Sequence, residues 1–160
     1  MRFIGIDVGL NGGIVILDEK ERIILKSVMP IKKTNKKVEY DIKSLISLLN
    51  IYNFAKVYLE QTHVRPVSGK RACFMNGFGY GIIKGILESL NIDYEIVSPQ
   101  KWMKEFGIIS KDKKGSIEFC KKKWSKEDWI ATKRCRKPHD GLTDAAVIAL
   151  YGCRRHKEDE

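Results

Sequence analysis

The chain has 160 residues, 43% of them hydrophobic, with 30 basic against 20 acidic side chains and a formal net charge of +10 at pH 7. That length is expected to form one domain, residues 1–160, with a core of its own, and no run approaches the roughly 20 consecutive apolar residues of a membrane span. The basic excess points to a polyanionic partner, nucleic acid before others.

From the N-terminus, residues 2–8, 12–18 and 22–29 are apolar runs separated by the turns Gly9–Gly13 (GLNGG) and Asp18–Glu21 (DEKE). Runs of that length with such turns predict a three-stranded antiparallel meander. Residues 31–39 (IKKTNKKVE) read as a basic polar loop. Residues 41–49 (DIKSLISLL) have apolar side chains at 42, 45, 46, 48 and 49, a helical spacing with Asp41 as its cap. Residues 55–60 (AKVYLE) form a fourth strand, 62–71 (THVRPVSGKR) a polar loop, and 72–90 a helix. Gly77, Gly79, Gly81 and Gly85 interrupt that helix, at about 1 kcal/mol each relative to alanine. Close packing against a sheet would account for them, and the order G-F-G-Y-G is not a P-loop. Residues 93–97 (DYEIV) form a fifth strand. Residues 98–106 open with Ser-Pro, a cap followed by proline at the first helical position. A short basic helix over 113–124 and a last helix from about 140 to 154 complete the chain. Together these elements predict an α/β fold, a mixed sheet flanked by helices.

Cys73, Cys120, Cys135 and Cys153 contain no C-x-x-C pair and fit neither a zinc site nor a disulfide framework. The N-terminal segment has no signal-peptide pattern, so reduced thiols in a cytoplasmic protein are expected.

Four acids stand out. Asp7 ends the first apolar run and Glu60 the fourth strand, while Asp140 and Asp144 lie in HDGLTDAAVIALYG at the start of the last helix. A carboxylate at the tip of an apolar strand is costly unless something pairs it. Adjacent parallel strands with acidic ends bring their carboxylates to one sheet edge, where α/β proteins place ligands. Asp140 and Asp144, four apart, share a helix face that continues through Ile148 and Tyr151. Asp140 also stands where the helix N-terminus favours an anion. Ala145, Ala146 and Ala149 would let the helix lie close to a sheet. Each acid has a plainer use: Asp7 in a turn, Glu60 at an exposed strand end, Asp140 as a cap, Asp144 in solvent. Converging on one point, however, the four would repel one another and require a cation, and hard oxygen donors suit Mg²⁺ or Mn²⁺. Two such ions would supply activation of water and stabilisation of the leaving 3′ oxygen in phosphodiester hydrolysis, with no side-chain nucleophile.

IGIDVGLNGG, YLEQ and HDGLTDAAVIALYG, in that order, resemble the ribonuclease H-like superfamily, and within it the RuvC group of Holliday-junction resolvases, especially its phage-encoded branch. The segment FGYGIIKGILESLNIDYEIVSPQKWMKEFGI extends the resemblance through a glycine-rich helix, a strand and a P-Q-x-W helix, so that nearly the whole chain is covered. The resemblance implies a five-stranded mixed sheet, three strands antiparallel and two parallel. It implies a homodimer whose two active sites cut opposing strands, in the cytoplasm of a bacterial or phage-infected cell. Asp7, Glu60, Asp140 and Asp144 are then the catalytic residues and ligands of two Mg²⁺ or Mn²⁺ ions. RuvC proteins usually carry the last acidic pair, or a His in place of its first member, three apart. Here the spacing is four, Gly141 stands three before Asp144, and His139 is next door. Asp144 is therefore the firmer assignment, and either Asp140 or His139 completes the site.

In that family the loop after Glu60 faces the junction centre, which gives His63, Arg65, Lys70 and Arg71 phosphates to meet. Phe74 or Met75 is a wedge between bases, or both are core residues of the following helix. Lys133, Arg134, Arg136 and Lys137 lead into the active-site helix and are expected at phosphates. Lys32, Lys33, Lys36 and Lys37, and Lys121, Lys122 and Lys123, read as solvated faces, and Trp102, Trp124 and Trp129 as packing. The expected activity is structure-selective cleavage of four-way junctions, and of forks and flaps, with specificity from shape because backbone contacts carry no sequence information. The alternatives are a ribonuclease H-type hybrid nuclease and a non-catalytic DNA-binding protein. An ATPase of the actin or sugar-kinase type shares the D-x-G hairpin but needs two such domains.

Overall fold

The computed structural model describes residues 1–35, 37–62, 69–109 and 114–159. The meander is β1 (Arg2–Asp7), β2 (Gly13–Asp18) and β3 (Ile23–Val28). Two later strands, β6 (Lys56–Glu60) and β7 (Tyr94–Val97), join β1 in parallel. The resulting five-stranded mixed sheet has the order β3-β2-β1-β6-β7.

Successive strand side chains point to opposite faces, and here both faces are covered. Ile4, Ile6, Ile14, Ile16, Val57 and Leu59 pack with α1 (Ile42–Ile51) and α2 (Lys70–Ser89). Phe3, Val15, Leu17 and Tyr58 pack with α3 (Pro99–Glu105), α4 (Gly115–Lys123) and α5 (Asp140–Asp159). Burial on both sides is why these strands read as nearly unbroken apolar runs.

The α5 helix lies closest to the sheet. A Cβ at Gly5 would come within 2.0 Å of the Ala145 carbonyl oxygen and 2.4 Å of the Ala149 nitrogen. The small residues of α5 thus need a matching glycine on β1. We expect Gly5→Ala to destabilise the protein by about 3 kcal/mol, the upper part of the usual overpacking range, read as a lower urea midpoint at unchanged m-value. The helix also runs on to Asp159 rather than stopping near 154. Arg154 and Lys157 reach Glu21 at 3.5 and 3.7 Å, and Lys123 pairs with the same carboxylate, tying the last turns of α5 to the β2–β3 turn.

Three local readings change. The 31–39 segment is not a loop: β4 (Ile31–Lys33) and β5 (Val38–Tyr40) form a two-stranded antiparallel sheet with Ile31 opposite Tyr40. The buried Tyr40 ring anchors it, a tertiary contact that the lysines between conceal; Lys36 lies outside the described residues. Of the four α2 glycines, only Gly79 makes a close approach, its Cβ position lying 2.0 Å from the Tyr40 hydroxyl, while Gly77, Gly81 and Gly85 face open space. Phe74 is not a core residue: it is 68% exposed and stacks on Phe78 with ring centroids 6.0 Å apart. Asp41 does cap α1, accepting from the Ser44 N–H at 3.3 Å. Ser98 holds the cap position before Pro99 but makes no side-chain capping bond.

Candidate active site

Register brings the first two acids together. Ile6 pairs with Leu59 across the parallel strands β1 and β6, so the next residue on each is an acid, Asp7 or Glu60, at the same sheet edge. Glycines bring in the other two. A Cβ at Gly13, the β2 partner of Asp7, would lie 2.6 Å from the Gly141 carbonyl oxygen, and one at Gly141 would lie 2.3 Å from the Asn11 carbonyl oxygen. The first turn of α5 therefore rests directly on the β1–β2 hairpin. Position 141 has no room for a side chain, and the acid stands one residue earlier, at Asp140. A cleft of about 340 Å³ opens there, lined by Asp7, Asp140 and Asp144, the 8–12 turn, Tyr40, and Ala72, Met75 and Asn76 of α2.

Its electrostatics are those of crowded anions. Burial, then the charges of Glu60 and Asp144, a hydrogen bond with Glu60 and the charge of Asp140, hold the Asp7 carboxyl well above the usual carboxylate range. Burial likewise raises Asp144 from 3.8 to about 6; Glu60 and Asp140 add to the rise and a hydrogen bond from Ser116 opposes it. Glu60 accepts from Trp102 Nε1 at 3.2 Å, and Trp102 is buried at the start of α3. Among the described residues the Tyr40 hydroxyl, buried at the cleft, has no hydrogen-bond partner. Burial, reinforced by the Asp7 charge, raises its pKa and keeps it protonated. None of Trp102, Ser116 or Tyr40 was marked by sequence as part of the site. The P-Q-x-W segment was the one available signal, and it concerned Trp102.

His139 is engaged locally. Its Nδ1 accepts from the Leu142 N–H at 3.2 Å and its carbonyl accepts from the Thr143 N–H at 3.3 Å, so the imidazole serves as a cap on α5. The cleft holds no thiol: burial, then Asp144, pushes the Cys120 thiol far up, and Cys120 donates to the Thr143 carbonyl at 3.5 Å. The donor set is thus oxygen throughout, and its mutual repulsion is what a divalent cation relieves. Among the described residues no group of three or more such side chains is already arranged around one ion.

The basic residues divide. Lys70 and Arg71 are exposed at the start of α2, the helix that walls the cleft. Lys133, Arg134, Arg136 and Lys137 are exposed just before α5. His63 and Arg65 lie outside the described residues. Trp102 and Trp129 are buried, and Trp124 is half-buried with its Nε1 donating to the Glu21 carbonyl at 2.8 Å. A larger hollow of about 590 Å³ lies at the opposite end of the sheet, around Met1, Ile24, Tyr52 and Phe54. Its acids are already paired, Asp18 with Arg22 at 2.6 Å and Glu19 with the amino terminus, so it offers no comparable ligand set.

Solved structures share this arrangement of elements. Thermus thermophilus RuvC in complex with a Holliday junction substrate is 15% identical, with a TM-score of 0.69 over 99% of this chain and 96% of that one. A second Thermus thermophilus RuvC structure is 16% identical, with a TM-score of 0.64 over 99% and 97%. The chain has the RuvC-like, ribonuclease H-like fold. No protein-family model matches the sequence, and no curated protein matches it. Among the described residues, no helix is long and apolar enough to cross a membrane.

Proposed function

We propose that this chain is a divalent-metal-dependent endonuclease that cleaves four-way DNA junctions and other branched DNA. One observation carries the reading: β1 and α5, elements far apart in sequence, bring Asp7, Asp140 and Asp144 to one cleft of a strongly basic chain, with Glu60 of β6 hydrogen-bonded to Asp7 beside them. The shared fold with a RuvC captured on a Holliday junction supports the choice of substrate. Residues 1–160 act as one nuclease domain, and two copies act together so that paired sites cut opposing strands, in the cytoplasm of a bacterial or phage-infected cell.

The four carboxylates would hold two Mg²⁺ or Mn²⁺ ions, which when bound supply activation of water and charge neutralisation at the phosphate. Asp140 rather than His139 completes the set, because the His139 ring is occupied in capping α5. Trp102 orients Glu60 through its indole N–H. Lys70 and Arg71 on one side, and Lys133, Arg134, Arg136 and Lys137 on the other, neutralise backbone phosphates. The exposed Phe74, stacked on Phe78 beyond the cleft, is placed to meet unstacked bases. His63 and Arg65 are assigned to phosphates by the sequence resemblance.

The test is a substrate panel: a four-way junction, a fork, a flap, an RNA–DNA hybrid and a linear duplex, each with Mg²⁺, with Mn²⁺ and with chelator. The expected result is metal-dependent cleavage of the junction in preference to linear duplex, by a species of twice the chain's mass in light scattering. Faster cutting of the hybrid would make the protein a ribonuclease H-type enzyme instead. Junction binding without any cleavage would reduce it to a DNA-binding protein.

A further inference from the structure

Tyr40 carries a group that the fold leaves unused. The residue is 5% exposed, and among the described residues its hydroxyl is one of two buried side-chain polar groups with no hydrogen-bond partner. The other, the Trp129 indole N–H, does not line the cleft. A buried donor without a partner loses its hydration and gains nothing in exchange.

Tyr40 is nonetheless firmly placed. It pairs with Ile31 across the β4–β5 ribbon, the next N–H, that of Asp41, donates to the Pro30 carbonyl at 2.9 Å, and the Asp41 carboxylate caps α1. Its ring tilts against Phe78 with centroids 6.5 Å apart. Its hydroxyl end fills the space over Gly79, where a Cβ would come within 2.0 Å of the hydroxyl oxygen and 2.4 Å of the ring carbon that bears it. Phenylalanine would make the same ring contacts without burying a donor. Packing therefore accounts for the ring and not for the hydroxyl.

The cleft offers the hydroxyl a use. It opens at the sheet edge, between the face covered by α5 and the face covered by α2. Asp140 and Asp144 enter from the α5 side and Asp7 from the tip of β1, while Tyr40 and Asn76 are the polar side chains on the α2 side. One wall is thus anionic and the other uncharged, with a rigidly held O–H at its base. The acids already present make no hydrogen bond with that O–H, so its acceptor must arrive with a ligand.

We infer that the Tyr40 hydroxyl is a substrate-binding group: it donates to a non-bridging oxygen of the phosphodiester in the cleft, from the wall facing the carboxylates, and so holds the phosphate for cleavage. The inference rests on the reading of the cleft as a nuclease site. Hydrogen bonds to charged acceptors are the strong ones, and losing one corresponds to about 10–100-fold in rate.

The experiment compares the full chain with Tyr40→Phe, which keeps the ring and removes the donor. Single-turnover junction cleavage in saturating Mg²⁺ should slow about 10–100-fold. The heat-unfolding midpoint in chelator should stay level or rise, because no structural bond is lost. Sulfur in place of each non-bridging oxygen at the mapped cut site, a poorer acceptor, tests for direct contact: in one of the two stereoisomers it should slow the wild type more than the variant. Wild-type cleavage by Tyr40→Phe overturns the inference and leaves the nuclease reading standing. Sulfur effects equal in the two proteins overturn it as well, as does a lower midpoint in chelator, the mark of a structural partner for the hydroxyl. A wild-type chain that cuts no junction in Mg²⁺ or Mn²⁺ overturns both.

Discussion

Asp7→Asn is expected to lower junction cleavage by about 10³-fold or more while leaving junction binding intact or tighter. Asp7 is the acid that feels all three others, and it lies at the tip of the central strand β1. Asparagine keeps the shape and removes the charge. A site built to neutralise developing charge at a phosphate supplies several kcal/mol through its cations; at roughly 1.4 kcal/mol per tenfold in rate, that is about 10³-fold. The fold should not suffer, because the substitution removes one of several mutually repelling, buried carboxylates. Binding should not suffer either, because one repulsion against the DNA phosphates is gone. Single-turnover cleavage in Mg²⁺, beside fluorescence anisotropy of the labelled junction in chelator, separates the two effects. A variant cutting at the wild-type rate would mean that the acids are structural and that the cleft is not where hydrolysis occurs.

In chelator, the contribution of the site to folding stability should fall as pH rises from about 4 to about 6, and divalent ions should reverse the loss. The folded-state pKa of Asp144 lies above its ordinary value of 3.8, at about 6. Between those values the folded protein keeps a proton that the unfolded chain has released. The stabilisation is therefore complete below about 3.8 and lost as pH rises through about 6. A rise of that size corresponds to about 3 kcal/mol, and Asp7 moves in the same direction. Asp18, Glu21 and Asp41 shift the opposite way, so total stability against pH mixes the two trends. The comparison that isolates the site is wild type against Asp144→Asn. The variant should be about 3 kcal/mol more stable above pH 6 in chelator, and the two should converge below pH 4. Saturating Mg²⁺ should narrow or reverse the gap, since a ligand that binds only the folded form stabilises it. Urea denaturation across pH 4–8 measures this. Parallel stability curves would mean that Asp144 is solvated and uninvolved.

Local pattern carried far in this chain where burial has a short period. Apolar runs broken by glycine or charged turns specified β1 to β3, and Asp41 its helix cap, because those preferences act within a few residues. Acids at the ends of apolar runs were equally visible, since few other residues make so poor a strand terminus inside a core. The β4–β5 ribbon was hidden because its anchor is Tyr40, buried by distant residues, while the lysines between suggest a loop. The α2 glycines were misjudged because periodicity shows that residues share a face but not what that face meets. Only Gly79 has Tyr40 against it.

The divide is sharpest at the cleft. Which acids stand at the ends of apolar elements was readable from residue type and position; which of Asp140 and His139 lines the cleft was not. That choice depends on Gly141 lying against the hairpin backbone and on the Leu142 N–H occupying the His139 ring. Trp102 behind Glu60 was equally out of sight, because a hydrogen bond between side chains on separate elements leaves no trace in either local segment. Residue order determined which strands and helices form and which carboxylates are available. Only the packing of α5 and α4 against the sheet decided how those carboxylates are oriented, because orientation is set by neighbours that the chain brings close solely by folding.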